Sequence, residues 1–475
     1  MTTDPYALGP APAATAARTP RTAPRRERPS YPPPPAALPL AAVAAGLLAA
    51  FAVPEHAFGL GTVLAVLGVA GAVAVGVWRR PAPSDVALTA LLLALLAMVV
   101  LRAAEWLLVL DLVAVAALGT IVLAGARTWE ACAAAGLTVW ARLKPALPYV
   151  LGPLARSSSR AAASPRRRPV WRGAGLAAAL LVVFGALFAS ADPAFAALLG
   201  GLVPDLSADL LLARLVVGAF AVALVGAGVL TRVRPVRLPA LPPAPARARA
   251  EWALPLVALD VLYAAFVAVQ LTVLFGGRAH VLRTSGLTYA EYARQGFFQL
   301  VAVVALTLAL MGFVVARVSL TDPRERLVAR ATLGPLCGLA FVVLASAWRR
   351  LALYESVYGL TRLRLFVHAV IAGLALLLLL VCAALVVWRG GWLPRATAAV
   401  AAVTLLGLNV ADPDALIAHR ALTTGRVDAR YLSGLSADAA PSLARLGLCV
   451  RAPRDDSWLS WNLARSRASD HLCPD

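Results

Sequence analysis

The sequence predicts an all-α protein, a polytopic transmembrane helical bundle of about 11 spans with a small helical C-terminal tail. Of the 475 residues, 61% are hydrophobic and 14% are charged, whereas soluble domains average about 45–50% apolar and about 25% charged residues. The apolar residues occur in runs of about 20, the length that crosses a hydrocarbon core of about 30 Å as a helix. This composition excludes an ordinary soluble protein.

The first element is an arm, residues 1–35, that is rich in alanine, proline and arginine. It holds too few large apolar residues to form a packed core, so we expect it to be disordered. It also lacks the early apolar stretch and cleavage site of a secretory signal, which favours an uncleaved extension.

The apolar runs that follow are expected to be helices, because they are longer than barrel strands and because lipid offers no partner to an open backbone. The predicted spans are residues 36–53, 57–78, 85–101, 107–126, 173–191, 210–230, 252–275, 297–316, 327–347, 365–388 and 393–410.

The net charge of +20 acts mainly as an orientation signal. Short loops that carry an excess of arginine and lysine stay in the cytoplasm. The loop at 127–172 has nine basic residues, the loop at 192–209 has none and the loop at 231–251 has five. This alternation predicts a multi-pass protein of the cell membrane with a cytoplasmic N-terminus. After residue 252 the alternation fades, and the side of the tail depends on the span count.

These features divide the chain into five regions, and the tail shows three short amphipathic patterns, at 412–423, 436–446 and 457–468. Ser436 is the predicted N-cap of the second. An Asp-Pro step follows three of the spans, and aspartate suits a helix N-cap as proline suits the first helical position. The steps are Asp192-Pro193, Asp322-Pro323 and Asp412-Pro413. The regions are a Pro/Arg-rich cytoplasmic arm (1–35), a four-span region (36–126), a basic cytoplasmic loop (127–172), a seven-span core (173–410) and the helical tail (411–475).

Few polar side chains fall inside the spans, and each is a functional candidate because burying charge in lipid is costly. Asp260 lies near the centre of the seventh span, with Gln270 on a neighbouring face of the same helix. A proton or cation pathway and a structural ion pair with Arg214, Arg278 or His368 both fit Asp260. Asp111 and His368, near the starts of their spans, are the other candidates.

The first of two polar blocks, residues 276–298, lies between two apolar spans. An interfacial helix with an aromatic face is one interpretation, and a polar gate or headgroup site at the mouth of the bundle is the other. The candidate residues are Arg278, Tyr289, Glu291, Tyr292 and Arg294.

The second polar block, residues 349–364, contains Tyr354, Glu355, Tyr358 and Arg364. Glu355 has two candidate partners, Arg362 and an arginine of the first block. In the eleven-span topology both blocks lie on the same side of the membrane, which makes a joint surface geometrically possible.

Four boxes of the sequence resemble a bacterial integral-membrane family known as domain of unknown function 4173 and its relatives. The boxes are YAEYARQGFF, ALYESVYGLTRLRLF, FASADPAF and the tail segment that begins LNVADPDALIAHR, and they occur within residues 173–475. The resemblance implies a polytopic envelope protein. It supplies no activity, substrate or catalytic residue.

Cysteine and histidine usage predicts neither a metal site nor a cofactor. Cys449 and Cys473 are the only cysteines of the polar tail; they form a disulfide if the tail is extracytoplasmic and stay reduced if it is cytoplasmic. Phosphate-binding, dinucleotide, zinc-protease and nucleophile-elbow motifs are absent from the sequence. We therefore assign no catalytic residue, metal or cofactor.

Three functions fit this pattern. The preferred one is a non-enzymatic component that organises or senses something at the envelope through the tail and the polar blocks. The second is a transporter or channel that uses Asp260, although neither broken helices nor inverted repeats are visible. The third is a membrane enzyme that acts on a lipid-linked substrate at residues 278–294. The expected partners are the bilayer, anionic headgroups at the basic cytoplasmic loops and an unidentified protein, not nucleic acid.

Overall fold

The computed structural model divides the chain into residues 1–33 and residues 34–475, and the second unit contains every helix described below. The structure describes residues 31–77, 82–161, 208–234, 249–275, 297–317, 322–388, 390–425, 427–450, 457–471 and 473, with single positions between 177 and 192.

The described residues form α-helices and two short 3₁₀ turns, so the predicted all-α class is confirmed. The bundle helices are α1 (Leu38–Ala52), α2 (Leu60–Gly76), α3 (Pro83–Leu101), α4 (Glu105–Ala124), α5 (Trp129–Ala161), α6 (Ala208–Val233), α7 (Arg249–Phe275), α8 (Phe297–Arg317), α9 (Pro323–Tyr358), α10 (Arg362–Val387) and α11 (Leu393–Ala411). The tail helices are α12 (Pro413–Thr424), α13 (Ala429–Leu432), α14 (Ala440–Arg445) and α15 (Leu463–Ala468).

Eight of the described helices are long and apolar enough to cross a membrane, namely α3, α4 and α6 to α11. The protein is therefore a multi-pass membrane protein. Helices α1 and α2 are equally apolar but have 15 and 17 residues. Apart from single positions, the predicted fifth span, residues 173–191, lies outside the described residues.

The largest departure from the predicted span map is α5, which occupies most of a segment predicted to be a loop. Three prolines and several polar residues interrupt its apolar pattern, so a search for continuous apolar runs overlooks it. The helix packs along α6, where a Cβ on Gly226 would lie 2.9 Å from the Cβ of Ala146. Arg142 of α5 donates to the carbonyl of Arg234 at 3.1 Å, just past the end of α6.

Helices α1 and α6 approach each other closely through a pair of glycines. A Cβ on Gly46 would lie 2.9 Å from the carbonyl oxygen of Gly218, and a Cβ on Gly218 would lie 3.1 Å from that of Gly46. Small residues allow such contacts between membrane helices, where packing rather than hydrophobicity drives association. This contact joins α1 to the rest of the bundle.

The tail folds into a compact unit, the cap, which comprises the described residues of 412–473. Its apolar core includes Ile417, Leu432, Leu435 and Leu443, each nearly or fully buried. Asp412 accepts from the amide of Ala415 at 3.3 Å and caps α12, and Asp322 caps α9 in the same way. These two Asp-Pro steps confirm the capping prediction; Pro193 lies outside the described residues.

Two details of the predicted tail are wrong. The third tail helix begins at Leu463 instead of residue 457, because the backbone at 459–461 pairs with the start of α2. The carbonyls of Trp461 and Leu459 accept from the amides of Leu60 and Gly61 at 3.0 and 2.7 Å. Ser436 does not cap a helix, because its hydroxyl donates to Asp438 at 3.0 Å.

The cap contacts three interhelical connections at one end of the bundle, here called the cap side. These connections are residues 53–59, 102–104 and 359–361, the last through Leu360, which packs on the core of the cap. The eleven-span count also places these three connections and the tail on one side of the membrane. The side of the membrane on which they lie stays a prediction.

Candidate functional site

The cap meets the bundle at a cluster of charged and polar side chains, here called the junction. The pair Arg362–Asp414 lies at the centre of this cluster. Asp414, in the first turn of α12, is fully buried. Its oxygens accept from Nε and Nη2 of Arg362 at 2.8 and 2.5 Å and from the amide of Ser436 at 2.8 Å. Such two-point pairing fixes the position of the guanidinium as well as its charge. It ties the start of α10 to the cap.

A second ionic contact joins the connection between α3 and α4 to the cap. Arg102 donates to Asp412 and lies 3.7 Å from Asp438. Asp438 also accepts from the amide of Ala103 at 2.8 Å and from the hydroxyl of Ser436 at 3.0 Å. Three aspartates, 412, 414 and 438, therefore meet two arginines at the junction.

Two aspartates of this cluster, Asp412 and Asp438, have a raised pKa. Burial, the nearby Asp438 carboxylate and, to a smaller extent, Asp414 raise the pKa of Asp412 to about 6, although Arg102 opposes the shift. Burial also raises the pKa of Asp438 above its usual range. Asp412 therefore gives the junction an acid whose pKa is about 6.

We expect the junction to weaken as the pH rises. The pKa of Asp412 is about 6 in the folded protein, against an ordinary value of 3.8. Protonation of Asp412 therefore stabilises the folded state fully below pH 3.8, and this stabilisation is lost as the pH rises through about 6. Across this window the change is on the order of 2 kcal/mol. It is measured as a fall in the thermal unfolding midpoint of the detergent-solubilised protein between pH 4.5 and 7.5.

Asp412→Asn provides the decisive variant for this pH dependence, because asparagine also tolerates the left-handed backbone at this position, where φ is 50°. The variant should flatten the profile, while Asp470→Asn, at an exposed position of the cap, should leave it unchanged. A midpoint that rises with pH, or an Asp412→Asn profile identical to that of the parent, contradicts the prediction.

Hydrogen bonds from two further side chains and one disulfide complete the junction. The Asn462 amide donates to the carbonyls of Val99 and Arg102 at 3.0 and 2.7 Å, and Arg465 donates to the carbonyl of Phe58 at 3.0 Å. A disulfide joins Cys449 to Cys473, the paired alternative of the two that the sequence left open. It closes the cap around the segment that docks on α2 and α3.

A cavity of about 960 Å³ opens beside the junction, between the end of α9 and the cap. Its wall carries side chains of both charges, three hydroxyl-bearing residues other than tyrosine, and two tyrosines. The lining includes Glu355, Ser356, Tyr358, Thr361, Arg420, Thr424, Asp428 and Tyr431. Its size is in the range of sites that bind small ligands.

The second polar block supplies one wall of this cavity, although its ion pairs differ from the predicted ones. Glu355 lies 3.1 Å from Nδ1 of His368, and Arg362 pairs with Asp414, so the predicted Glu355–Arg362 pair is wrong. His368 stacks edge-on against Trp348. The block could not be paired correctly from sequence because Asp414 lies 52 residues after Arg362.

The tyrosines of the second block lie against the neighbouring arginine. The guanidinium of Arg364 lies 4.3 Å above the ring of Tyr354, which in turn contacts the ring of Tyr358. Such a cation–π contact is typical of a membrane–water boundary, where aromatic and basic residues gather.

The candidate residues of the first block lie outside the described residues. They are Arg278, Tyr289, Glu291, Tyr292 and Arg294. Their roles stay predictions.

The intramembrane candidates do not share a site. Among the described residues, Oδ1 of Asp260 has no hydrogen-bond partner, and the predicted pairing with Arg214 or His368 is wrong because these pair with Glu55 and Glu355. Arg278 lies outside the described residues. Gln270 accepts from Arg350 at 3.0 Å.

Asp111 is fully buried and accepts from the Asn409 amide at 2.9 Å, a partner that the sequence analysis missed. The two residues are 298 positions apart, on α4 and α11. An Asn near the end of an apolar span was the available signal.

A buried ion pair at the opposite end of the bundle was also missed. Arg395, at the start of α11, donates to Asp85 of α3 at 2.7 Å and to the carbonyl of Ala126 at 2.6 Å. Both side chains of the pair are less than 10% exposed, and Arg232 lies 3.7 Å from Asp85. The missed signal was an arginine directly after a proline at a span start, which resembles an ordinary terminal charge.

Within the described ranges, no group of three or more histidine, cysteine or acidic side chains is arranged to hold a metal ion. The junction is a set of satisfied ion pairs, whereas the cavity beside it combines open space with charged walls. The cavity therefore combines the space and the charged groups that a ligand site needs.

The family model described as domain of unknown function (DUF4153) matches residues 87–446, about three quarters of the chain. The chain belongs to the DUF4153 family. The resemblance to family 4173 is corrected accordingly, although an unknown-function family was the right kind. No curated protein and no solved structure matches the chain.

The matched region of this DUF4153 protein begins within α3, much earlier than the residues 173–475 expected from the four boxes. It includes both arginines and all three aspartates of the junction, as well as the cavity lining. Helices α1 and α2, and the disulfide, lie outside it. The DUF4153 match thus covers two of the three connections that the cap contacts, residues 102–104 and 359–361, but not residues 53–59.

Proposed function

We propose that this DUF4153 protein is a non-enzymatic component of the cell membrane that senses or organises the envelope through its cap. The observation that carries the proposal is the cap itself, a folded unit that contacts three interhelical connections and leaves a polar cavity beside them. A ligand or protein that binds the cap can thereby change the positions of helix ends of the bundle.

The proposal places the cap outside the cytoplasm. Disulfides persist in oxidising compartments, and the structure joins Cys449 to Cys473 in the cap. The arginine-rich loops of the first half support the same orientation, with the N-terminus in the cytoplasm and anionic headgroups near the basic loops.

Site-specific photo-crosslinking in intact cells tests the sensing role. A photoreactive residue at Trp458, which is 66% exposed in the cap, should give one defined envelope adduct. The same residue at Leu40, which is 75% exposed on α1, is the matched control and should give only lipid adducts. Identical adducts at both positions, or turnover of a lipid-linked substrate by the purified protein, would contradict the proposal.

A transporter that uses Asp260 is the second candidate, favoured by a carboxylate oxygen that has no hydrogen-bond partner among the described residues. Unpaired acids inside membrane helices are typical of proton and cation pathways. Proton or cation flux is measured in proteoliposomes for the parent, for Asp260→Asn and for the control Asp209→Asn, at an exposed position of α6. Flux that Asp260→Asn leaves unchanged rejects this candidate.

A further inference from the structure

The cavity beside the junction has a charge pattern that points to a ligand with both a positive and a negative group. Two of its wall residues, Glu355 and Asp428, are acids, and Arg420 is a base. Ligands are selected when the charges of the wall complement their own. A purely anionic ligand would meet two carboxylates and only one guanidinium.

Glu355 favours a ligand that carries a hydrogen-bond donor. Its side chain is 15% exposed, and its Oε1 accepts no hydrogen bond among the described residues. His368 lies 3.1 Å away, but its Nδ1 is also 3.2 Å from the carbonyl of Arg364, which competes for the same proton. A buried carboxylate oxygen without a donor is costly. Because Oε1 itself is buried, an ammonium group in the cavity would approach the Glu355 carboxyl from the part of its side chain that lines the wall.

Arg420 is the group that can hold a phosphate. It lies on the exposed surface of α12 at the cavity wall and has no ion pair within the described part of the chain. A guanidinium binds phosphate oxygens through two parallel hydrogen bonds. Arg420 and Glu355 thus offer the two poles of a zwitterion from different walls.

The position of the cavity, at helix ends beside aromatic and basic residues, also suits a headgroup. It opens at the end of α9 and the start of α10, the boundary marked by the stacked Tyr354 and Arg364. Tyr358 and Tyr431 line it, and aromatic faces attract ammonium groups. A volume of about 960 Å³ leaves room for a headgroup and the glycerol behind it.

We propose that this cavity binds a phosphoethanolamine group, with the ammonium at Glu355 and the phosphate at Arg420. Choline lacks an N–H and cannot donate to Glu355, and phosphoglycerol carries no positive charge. The same group occurs as a lipid headgroup and on soluble carriers, and the site recognises the shared chemistry. The inference goes beyond the proposed function and does not depend on which side of the membrane the cap faces.

Native mass spectrometry of the delipidated full-length protein tests the proposal. The probes are phosphatidylethanolamine, phosphatidylcholine and phosphatidylglycerol with identical acyl chains. Phosphatidylethanolamine should bind at least tenfold more tightly than the other two. Soluble phosphoethanolamine at millimolar concentration separates the two sources, since competition indicates headgroup recognition alone and no competition indicates a requirement for the lipid.

Two variants test the ammonium contact and the phosphate contact separately. Glu355→Gln should bring phosphatidylethanolamine within about twofold of phosphatidylcholine, whereas Arg420→Gln should weaken both about tenfold. The matched controls are Glu130→Gln and Arg430→Gln, exposed residues outside the cavity lining, which should change neither affinity.

Tyr358→Leu tests the cavity with a change that should not disturb folding. Tyr358 is 55% exposed on the cavity wall, and its replacement leaves the ion pairs intact. It should weaken phosphatidylethanolamine binding at least threefold while the unfolding midpoint stays unchanged. Equal binding of the three lipids by the parent, or a preference that survives Glu355→Gln, overturns the proposal.

Discussion

Replacement of Asp414 by asparagine is expected to release the cap from the bundle. The carboxylate is fully buried and accepts three hydrogen bonds, two from Arg362 and one from the amide of Ser436. An asparagine presents one acceptor, and its NH₂ must face a donor, so a buried polar group stays unsatisfied. We expect local destabilisation of about 2–4 kcal/mol. This is less than for a fully buried pair, because Arg362 is 33% exposed and water screens its charge.

Hydrogen exchange detects this loss amide by amide. The Ser436 amide, which donates directly to Asp414, should exchange about a hundredfold faster in the variant, and the amides of α12 should follow. Amides of α3 and α4 should keep their protection, because the bundle is not expected to unfold. The control Asp470→Asn removes an exposed charge of the same cap and should leave exchange unchanged. Unchanged exchange at Ser436, or equal acceleration throughout the bundle, contradicts the prediction.

The spans could be predicted because hydropathy is a local property of the chain. The prediction 85–101 corresponds to α3, Pro83–Leu101, and 393–410 corresponds to α11, Leu393–Ala411. Boundaries failed where polar residues continue an apolar helix. The ninth span was predicted to end at residue 347, yet α9 continues to Tyr358 because its polar last turns reach the cap side.

The junction could not be predicted because its contacts are distant in sequence. Arg102 and Asp412 are 310 residues apart, and each resembles an ordinary charge at a helix end. Asp412 was correctly predicted as a helix cap, but capping is decided by three neighbouring residues, whereas its ionic partner is decided by the tertiary fold. Glu355 and Tyr358 could therefore be recognised in the sequence as candidate residues, but the cavity that they line could not be predicted.

The pair Arg395–Asp85 carries the largest expected effect of a single substitution. Arg395 donates to Ser84 at 2.6 Å, to Asp85 at 2.7 Å and to the carbonyl of Ala126 at 2.6 Å, so it joins α11 to α3 and to the connection after α4. Among the described residues, Arg395→Leu leaves Asp85 with Arg232, 3.7 Å away, as its remaining ionic partner. Removal of one partner of a buried pair costs about 3–5 kcal/mol because the remaining charge is uncompensated. We expect a loss of this size in the free energy of unfolding, measured by SDS titration of the protein in mixed micelles.

The double variant Asp85→Leu with Arg395→Leu decides whether this cost comes from the stranded charge or from lost helix contacts. Apolar side chains of similar size often replace a buried ion pair without loss, so the double variant should recover most of the stability that Arg395→Leu removes. Arg324→Leu, an exposed arginine at the start of α9, is the matched control and should change stability by less than about 0.5 kcal/mol. A double variant as unstable as Arg395→Leu would show that the bonds to Ser84 and Ala126, rather than the charge of Asp85, hold these helix ends together.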